Sequence, residues 1–190
     1  MALMTQEKFE ELISMLLEKA KTNRMRYGYS GGDRFAHCAI VFGPSCEQAV
    51  MPLKWQSDQQ KDIVMDALSH AAGATNASAV VTINDTRWSD EDRFCKYFNV
   101  PSSEEIGFEE FQKRYYEIRM KHGNGDIAAL PREIWDEAIC VSGKGPKLLA
   151  QCRLASYREG PNDSLVWIED DKTQPADMLL LPDWWETTVQ

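Results

Sequence analysis

Two segments of the chain have apolar residues at helical spacing. Thr5 can cap the first segment, whose apolar positions follow i, i+3, i+4, i+7, i+8 and i+11. These positions are Phe9, Leu12, Ile13, Leu16, Leu17 and Ala20. Ser57 and Gln60 form a capping box before the second segment, which has a similar apolar face and a stop at Gly73. Both segments are predicted to be amphipathic helices.

Short β-branched and apolar runs predict strands between these helices. Ala36–Phe42 ends at a Gly-Pro turn, and Gln48–Trp55 follows closely enough to make a hairpin with it. Pro52 suits an edge position in this second strand. Ala79–Ile83 is a compact run without alternation, which is typical of a strand buried on both faces. We expect this last strand to be central to the sheet.

The second half of the chain repeats the change from helix to strand. Asp90–Pro101 is polar and is predicted to be irregular, whereas Ser102 and Glu105 open a third helix that ends near Gly123. Turn sequences then separate three strand candidates, which favours an antiparallel meander. These candidates are Glu137–Val141, Leu148–Ser156 and Leu165–Ile168.

The resulting order, α-β-β-α-β-α-β-β-β, predicts the α+β (mixed α/β) class, with helices packed against a mixed sheet. The length of 190 residues fits a single domain, residues 1–190. Residues 176–190 form a hydrophobic C-terminal tail containing Trp184 and Trp185. So much apolar surface is seldom left in water, so we expect the two tryptophans to contact the domain or a partner.

Charge and hydropathy narrow the classes of partner. The net charge of −9 repels phosphate backbones and anionic lipid, so nucleic acid is not an expected partner. The longest apolar runs are far shorter than the roughly 18 to 20 residues that cross a bilayer, and the N-terminus lacks the pattern of a signal peptide. We therefore expect a cytoplasmic protein without a membrane partner.

The cysteines and histidines do not form a recognisable metal or disulfide pattern. Five cysteines without a C-x-x-C pair suit reduced thiols, with Cys46 and Cys95 placed in loops. The three histidines are scattered and have no metal-ligand spacing. We expect neither a metal nor a cofactor, and a redox role through Cys46 or Cys95 is the third functional hypothesis.

The best candidate ligand site follows the predicted central strand. Strand ends collect ligand-contacting groups in open α/β sheets, and Asp85, Arg87 and Trp88 stand there. Asp85 can accept a proton, Arg87 can bind a carboxylate, and Trp88 can stack on a ligand. The competing interpretation is that Asp85 caps its own turn and Trp88 lies in the core. The glycines and arginines between Arg24 and Arg34 can add an anion-binding loop.

Part of the chain resembles a loose group of uncharacterised bacterial and phage proteins. The resemblance rests on Pro52–Asp62, on Ala-Val-Val-Thr-Ile-Asn-Asp-Thr-Arg-Trp from Ala79 to Trp88, and on Pro131–Val141. Asn84–Trp88 stands where the group has a Glu-Ala-Trp-like triplet, and Asp90–Gly125 replaces its Pro-rich stretch. The resemblance implies an accessory bacterial protein and supplies no catalytic residues.

Two functional hypotheses follow from these patterns. The first is a non-enzymatic bacterial, cytoplasmic binding or interaction protein, a homo-oligomer or the partner of another protein, with Trp184 and Trp185 at the interface. The alternative is a small hydrolase or ligand-binding enzyme that uses Asp85 and Arg87, with a polar pocket at the end of the central strand. Whether the chain is an enzyme stays open at this point.

Overall fold

The structure, a computed structural model, describes residues 4–45, 47–54 and 58–174. Within this part, the chain forms α1 (Gln6–Met25), β1 (Cys38–Phe42), β2 (Gln48–Pro52), α2 (Asp58–Ala74), β3 (Ala79–Ser89), α3 (Glu91–Phe98), α4 (Ser103–Ile106), α5 (Phe108–Gly123), β4 (Trp135–Gly145), β5 (Leu148–Glu159) and β6 (Leu165–Gln174). Single 3₁₀ turns lie at Gly32–Arg34, Ile127–Ala129, Arg132–Ile134 and Pro161–Asp163. The predicted α+β class is confirmed.

The six strands of the described chain form one sheet in the order β2-β1-β3-β4-β5-β6. The sheet is antiparallel rather than mixed, as the pairings of β1 with β2 and β3 and of β5 with β6 illustrate. β3 has an inner position in the sheet, as expected. β2 is an edge strand that ends at Pro52, and proline is tolerated at an edge because its missing N–H breaks no hydrogen bond inside the sheet. The predicted meander of the last three strands is also present. Trp55 and the Ser57 cap lie outside the described residues.

The described chain divides into two compact units, the larger formed by its residues up to Asp85 and from Ile139 onward and the smaller by Thr86–Ala138. In the larger unit, alternate residues of the strands pack on opposite faces of the sheet. Ile40 and Val81 pack with the apolar stripe of α1, whereas Ala39 and Val80 pack with α2 residues such as Leu68. Both faces of this part of the sheet are therefore covered, which explains why β3 begins as an uninterrupted apolar run.

The smaller unit has its own core, made by one face of α5, by α3 and by the segment before β4. Phe94, Phe111, Leu130, Ile134 and Trp135 are its buried members. The prediction that Asp90–Pro101 is irregular is wrong, because Glu91–Phe98 is helical. Asp90 caps this helix by accepting a hydrogen bond from the Arg93 amide at 3.2 Å, and Asn99 ends it in the left-handed conformation.

No helix in the described part of the chain combines the length and apolarity needed to cross a membrane.

Candidate functional site

Asp85, the first of the predicted site residues, lies in β3 just beyond its apolar run. Its carboxylate accepts a hydrogen bond from Arg24 Nε at 2.7 Å and one from Tyr157 Oη at 2.5 Å. The predicted end of the strand before Asp85 is wrong, because β3 continues to Ser89, so Asp85 lies within the strand and caps no turn. It joins α1, β3 and β5 in one polar cluster, called the Arg24 cluster below and consisting of Arg24, Asp85 and Tyr157.

Arg24 is the most deeply buried charge of this cluster, with only 1% of its surface exposed. Besides Asp85, its guanidinium donates to the Tyr29 carbonyl at 2.9 Å, to Tyr157 Oη at 3.3 Å and to the Gly28 carbonyl. It also lies over the Tyr157 ring, with 5.0 Å between Cζ and the ring centroid. A buried cation is tolerated only when its donors are satisfied, and most N–H groups of this guanidinium have partners.

The electrostatics of the cluster favour a fixed arrangement of one cation, one anion and a neutral phenol. Burial lowers the pKa of Arg24, but its hydrogen bonds to Tyr157 and Asp85 outweigh burial and raise the pKa overall. Burial and the hydrogen bond to Asp85 raise the pKa of Tyr157, so the phenol keeps its proton and donates a hydrogen bond to the carboxylate. Burial also lowers the pKa of nearby His37, although the negative charge of Asp85 acts to raise it.

The glycine-rich loop after α1 binds an anion that belongs to the chain itself. The Ser30 amide and hydroxyl donate to the two carboxylate oxygens of Asp163 at 2.7 and 2.9 Å. These bonds lower the pKa of Asp163, with the backbone bond the largest cause. Gly28 has a φ of +67°, and a Cβ there would lie 2.5 Å from Asp163 Oδ2, so glycine is required. The predicted anion-binding loop thus holds an internal carboxylate.

Arg87 and Trp88, the other predicted site residues, belong to the smaller unit. Arg87 is about half exposed, lies 5.7 Å from the Trp135 ring centroid and is 3.9 Å from Glu137. Arg132 approaches the same ring at 4.1 Å. Trp88 is partly buried. Arg87 contacts Glu137 and Trp135, whereas Asp85 contacts Arg24 and Tyr157. The sequence analysis predicted none of these contacts.

The structure corrects the predicted position of one reactive cysteine. Cys95 lies in helix α3, not in a loop, and is partly buried with its thiol 3.7 Å from the Pro101 carbonyl. Burial and the neighbouring carboxylates, Glu91 first among them, raise its pKa, which disfavours the thiolate. Cys46 lies outside the described residues, as do the predicted interface residues Trp184 and Trp185.

A shallow groove of about 470 Å³ lies elsewhere, along the outer face of α1. Its lining comprises Met15, Glu18, Lys19, Thr22, Asn23 and Arg26. None of these residues is Asp85, Arg87 or Trp88, and only Arg26 belongs to the segment predicted as an anion-binding loop. Among the described residues there is no group of three or more histidines, cysteines and carboxylates placed to hold a metal ion.

The sequence analysis placed Arg24 in an anion-binding loop and did not predict that it is buried, and it did not mention Tyr157. A signal for Arg24 exists, because it follows Ala20 by four residues and so continues the buried stripe of α1. For Tyr157, the signal is an inward position in β5, two residues after Ala155 on the same face.

Comparisons with known protein families, with curated proteins and with solved structures found no match for this chain.

Proposed function

We propose that this chain is a non-enzymatic, cytoplasmic interaction protein that self-associates through the outer face of α5. The observation that carries the proposal is an exposed apolar row on this helix. Phe108, Tyr116 and Met120 are 50%, 61% and 44% exposed. With Gln112 they occupy every fourth position, so all four residues lie on one ridge of the helix.

The core of the smaller unit does not need this row. That core takes Phe111, buried, and Tyr115 and Ile118, partly buried, from α5. Tyr116 and Met120 point away from these residues, and Phe108 lies at the border between the two sides. The helix is therefore apolar on two sides, whereas a helix packed on one core needs only one apolar stripe. Large exposed apolar side chains in a row are typical of interaction surfaces rather than of solvated helices.

A second copy of the chain is the occupant that the charges of α5 favour. Glu109 and Glu110 lie in its first turn and Lys121 in its last, an order that also suits the helix dipole. In an antiparallel pair related by a two-fold axis, the acidic end of each helix meets the basic end of the other. The same arrangement brings Phe108 of one copy beside Met120 of the second copy, a favourable sulfur–aromatic contact.

Molecular mass in solution tests this proposal. Light scattering coupled to size exclusion should give twice the monomer mass for the natural chain, and the monomer mass for Tyr116→Asp combined with Met120→Asp. Ile63→Asp is the matched control, because Ile63 is 62% exposed on α2, far along the chain from α5. This control should keep the dimer mass. A monomeric natural chain, or a dimer that tolerates the double substitution, would contradict the proposal.

The tail that contains Trp184 and Trp185 is the competing interface, and truncation distinguishes it from α5. Deletion of residues 176–190 should leave the dimer mass unchanged if α5 makes the contact. If this deletion yields monomers while the α5 double variant stays dimeric, the interface lies in the tail and the α5 proposal fails.

The alternative function, a small hydrolase or ligand-binding enzyme, finds less support at Asp85. Both oxygens of this carboxylate accept hydrogen bonds from internal groups, and the partner Arg24 is nearly inaccessible to solvent. A general base must reach the proton that it abstracts, so Asp85 would have to leave these partners first.

The free thiols of the described chain, at Cys38, Cys95, Cys140 and Cys152, suit the reducing cytoplasm.

A further inference from the structure

Cys140 and Cys152 lie side by side on the meander formed by β4, β5 and β6, although they are 12 residues apart in the sequence. Cys140 is in β4 and Cys152 in β5, strands that neighbour each other in the sheet. Their sulfur atoms are 3.6 Å apart, and both are free thiols. A disulfide needs about 2.05 Å between the sulfurs, so the two sulfur atoms must approach each other by roughly 1.5 Å to form the bond.

The two thiols have different surroundings. Cys152 is only 3% exposed, whereas Cys140 is partly exposed. The hydrogen bond between the two thiols lowers the pKa of Cys152 and raises the pKa of Cys140. A thiolate at Cys152 is the form that can attack an oxidised sulfur.

We propose that Cys140 and Cys152 form a reversible intramolecular disulfide when the protein meets hydrogen peroxide. In the first step, one sulfur of the pair takes an oxygen from peroxide and becomes a sulfenic acid, and one water is released. In the second step, the sulfur of the other cysteine attacks the sulfenic sulfur, the S–S bond forms and the S–O bond breaks. The departing hydroxide takes the remaining thiol proton as a second water, so two thiols and one peroxide give one disulfide and two waters.

The other described cysteines provide internal controls. Cys38 lies on β1 and Cys95 on α3, and among the described cysteines neither has a thiol contact like that between Cys140 and Cys152. Both should therefore stay available to a thiol reagent under conditions that oxidise the pair.

Mass spectrometry of the full chain tests this inference. The reduced protein, with five cysteines, is treated with a small molar excess of hydrogen peroxide, and the remaining thiols are alkylated under denaturing conditions. The number of alkylated cysteines should fall from five to three, with a loss of two hydrogens in mass. Digestion with trypsin should yield one disulfide-linked pair of peptides, Glu133–Lys144 with Leu148–Arg153, which dithiothreitol separates.

Variants make the result specific. Cys140→Ser and Cys152→Ala should each abolish the linked peptide, while Cys38→Ser and Cys95→Ser should leave it unchanged. The natural chain alone already decides the matter if a variant fails to fold. Five alkylated cysteines at a peroxide concentration that oxidises free glutathione would overturn the inference. So would linkage of Cys140 or Cys152 to another cysteine, or oxidation of either to a sulfinic acid without linkage.

Discussion

Arg24 is a full positive charge removed from water, and Asp85 and Tyr157 are the residues that make its burial tolerable. A buried ion pair adds little to stability compared with an apolar replacement, but removing one partner leaves an uncompensated charge. The side chain of Asp85 is 12% exposed and that of Arg24 is 1% exposed, so water can replace little of what a lost partner supplied. The cluster therefore acts as a structural connection between α1, β3 and β5.

Substitution within the Arg24 cluster should destabilise the protein strongly. Asp85→Asn keeps the shape of the side chain but removes its charge, so we expect the free energy of unfolding to fall by about 3 to 5 kcal/mol. Tyr157→Phe removes one hydroxyl and should cost about 2 kcal/mol, because a hydrogen bond to a charged group is lost. Urea unfolding measures both. The control Arg114→Gln breaks an exposed pair with Glu110 and should barely move the midpoint.

An effect of Asp85→Asn no larger than that of Arg114→Gln would show that the cluster is not structural. That outcome would also revive the interpretation of Asp85 as a residue held free for a ligand.

Single residues also show where sequence reasoning stops. Asp85 was predicted as a site residue because polar groups at strand ends often face ligands, but β3 continues to Ser89 and the Asp85 carboxylate accepts hydrogen bonds from two internal groups. Its partners are 61 and 72 residues away along the chain, in other elements. Periodicity indicates which side chains point inward, but not which two inward polar groups meet. The contact between Cys140 and Cys152 likewise joins residues of two different strands, and periodicity does not indicate that their side chains meet.

At the scale of elements, the smaller unit contains α3, which the sequence analysis did not predict. The helix has eight residues and buries a single aromatic side chain, Phe94, completely. Helices of this length are marginal in water by themselves, so packing of Phe94 against Phe111 and Tyr115 stabilises it. The N-cap signal of Asp90 is present in the sequence, but an apolar stripe of two turns is too short to stand out from a polar loop.

The cap of α3 offers a test at this scale. Asp90→Ala removes the acceptor for the Arg93 amide and should lower the free energy of unfolding by about 1 kcal/mol. Amide hydrogen exchange in α3 should accelerate as well. Asp90→Asn keeps an oxygen acceptor and should retain most of the stability. Equal exchange rates in α3 for the natural chain and Asp90→Ala would mean that tertiary packing alone holds the helix.

The longer elements were predictable because each carries a local signal that agrees with its tertiary role. The stripe of α1 packs on the sheet, and the uninterrupted apolar run of β3 has a covered face on either side. Turn chemistry specified the hairpins, whose strands are neighbours in the sheet. The order of the remaining strands depends on contacts between distant segments, which the sequence pattern does not contain.

At the scale of the whole molecule, the net charge of −9 sets a general repulsion between copies. Self-association therefore needs a local surface on which opposite charges meet and apolar groups are buried. The outer face of α5 has both properties, since it combines the row of Phe108, Tyr116 and Met120 with acidic residues at one end and a basic residue at the other. The proposed function depends on this face.

Photo-crosslinking from position 108 tests the antiparallel α5 pair most directly. Phe108 is replaced by p-benzoylphenylalanine, a change from one aromatic side chain to another at a half-exposed position. Irradiation should give a covalent dimer in which position 108 of one copy is joined to Met120 of the second copy, and Met120→Ser should sharply reduce its yield. Absence of a covalent dimer at concentrations where light scattering detects association, or a link to residues outside α5, would contradict the account.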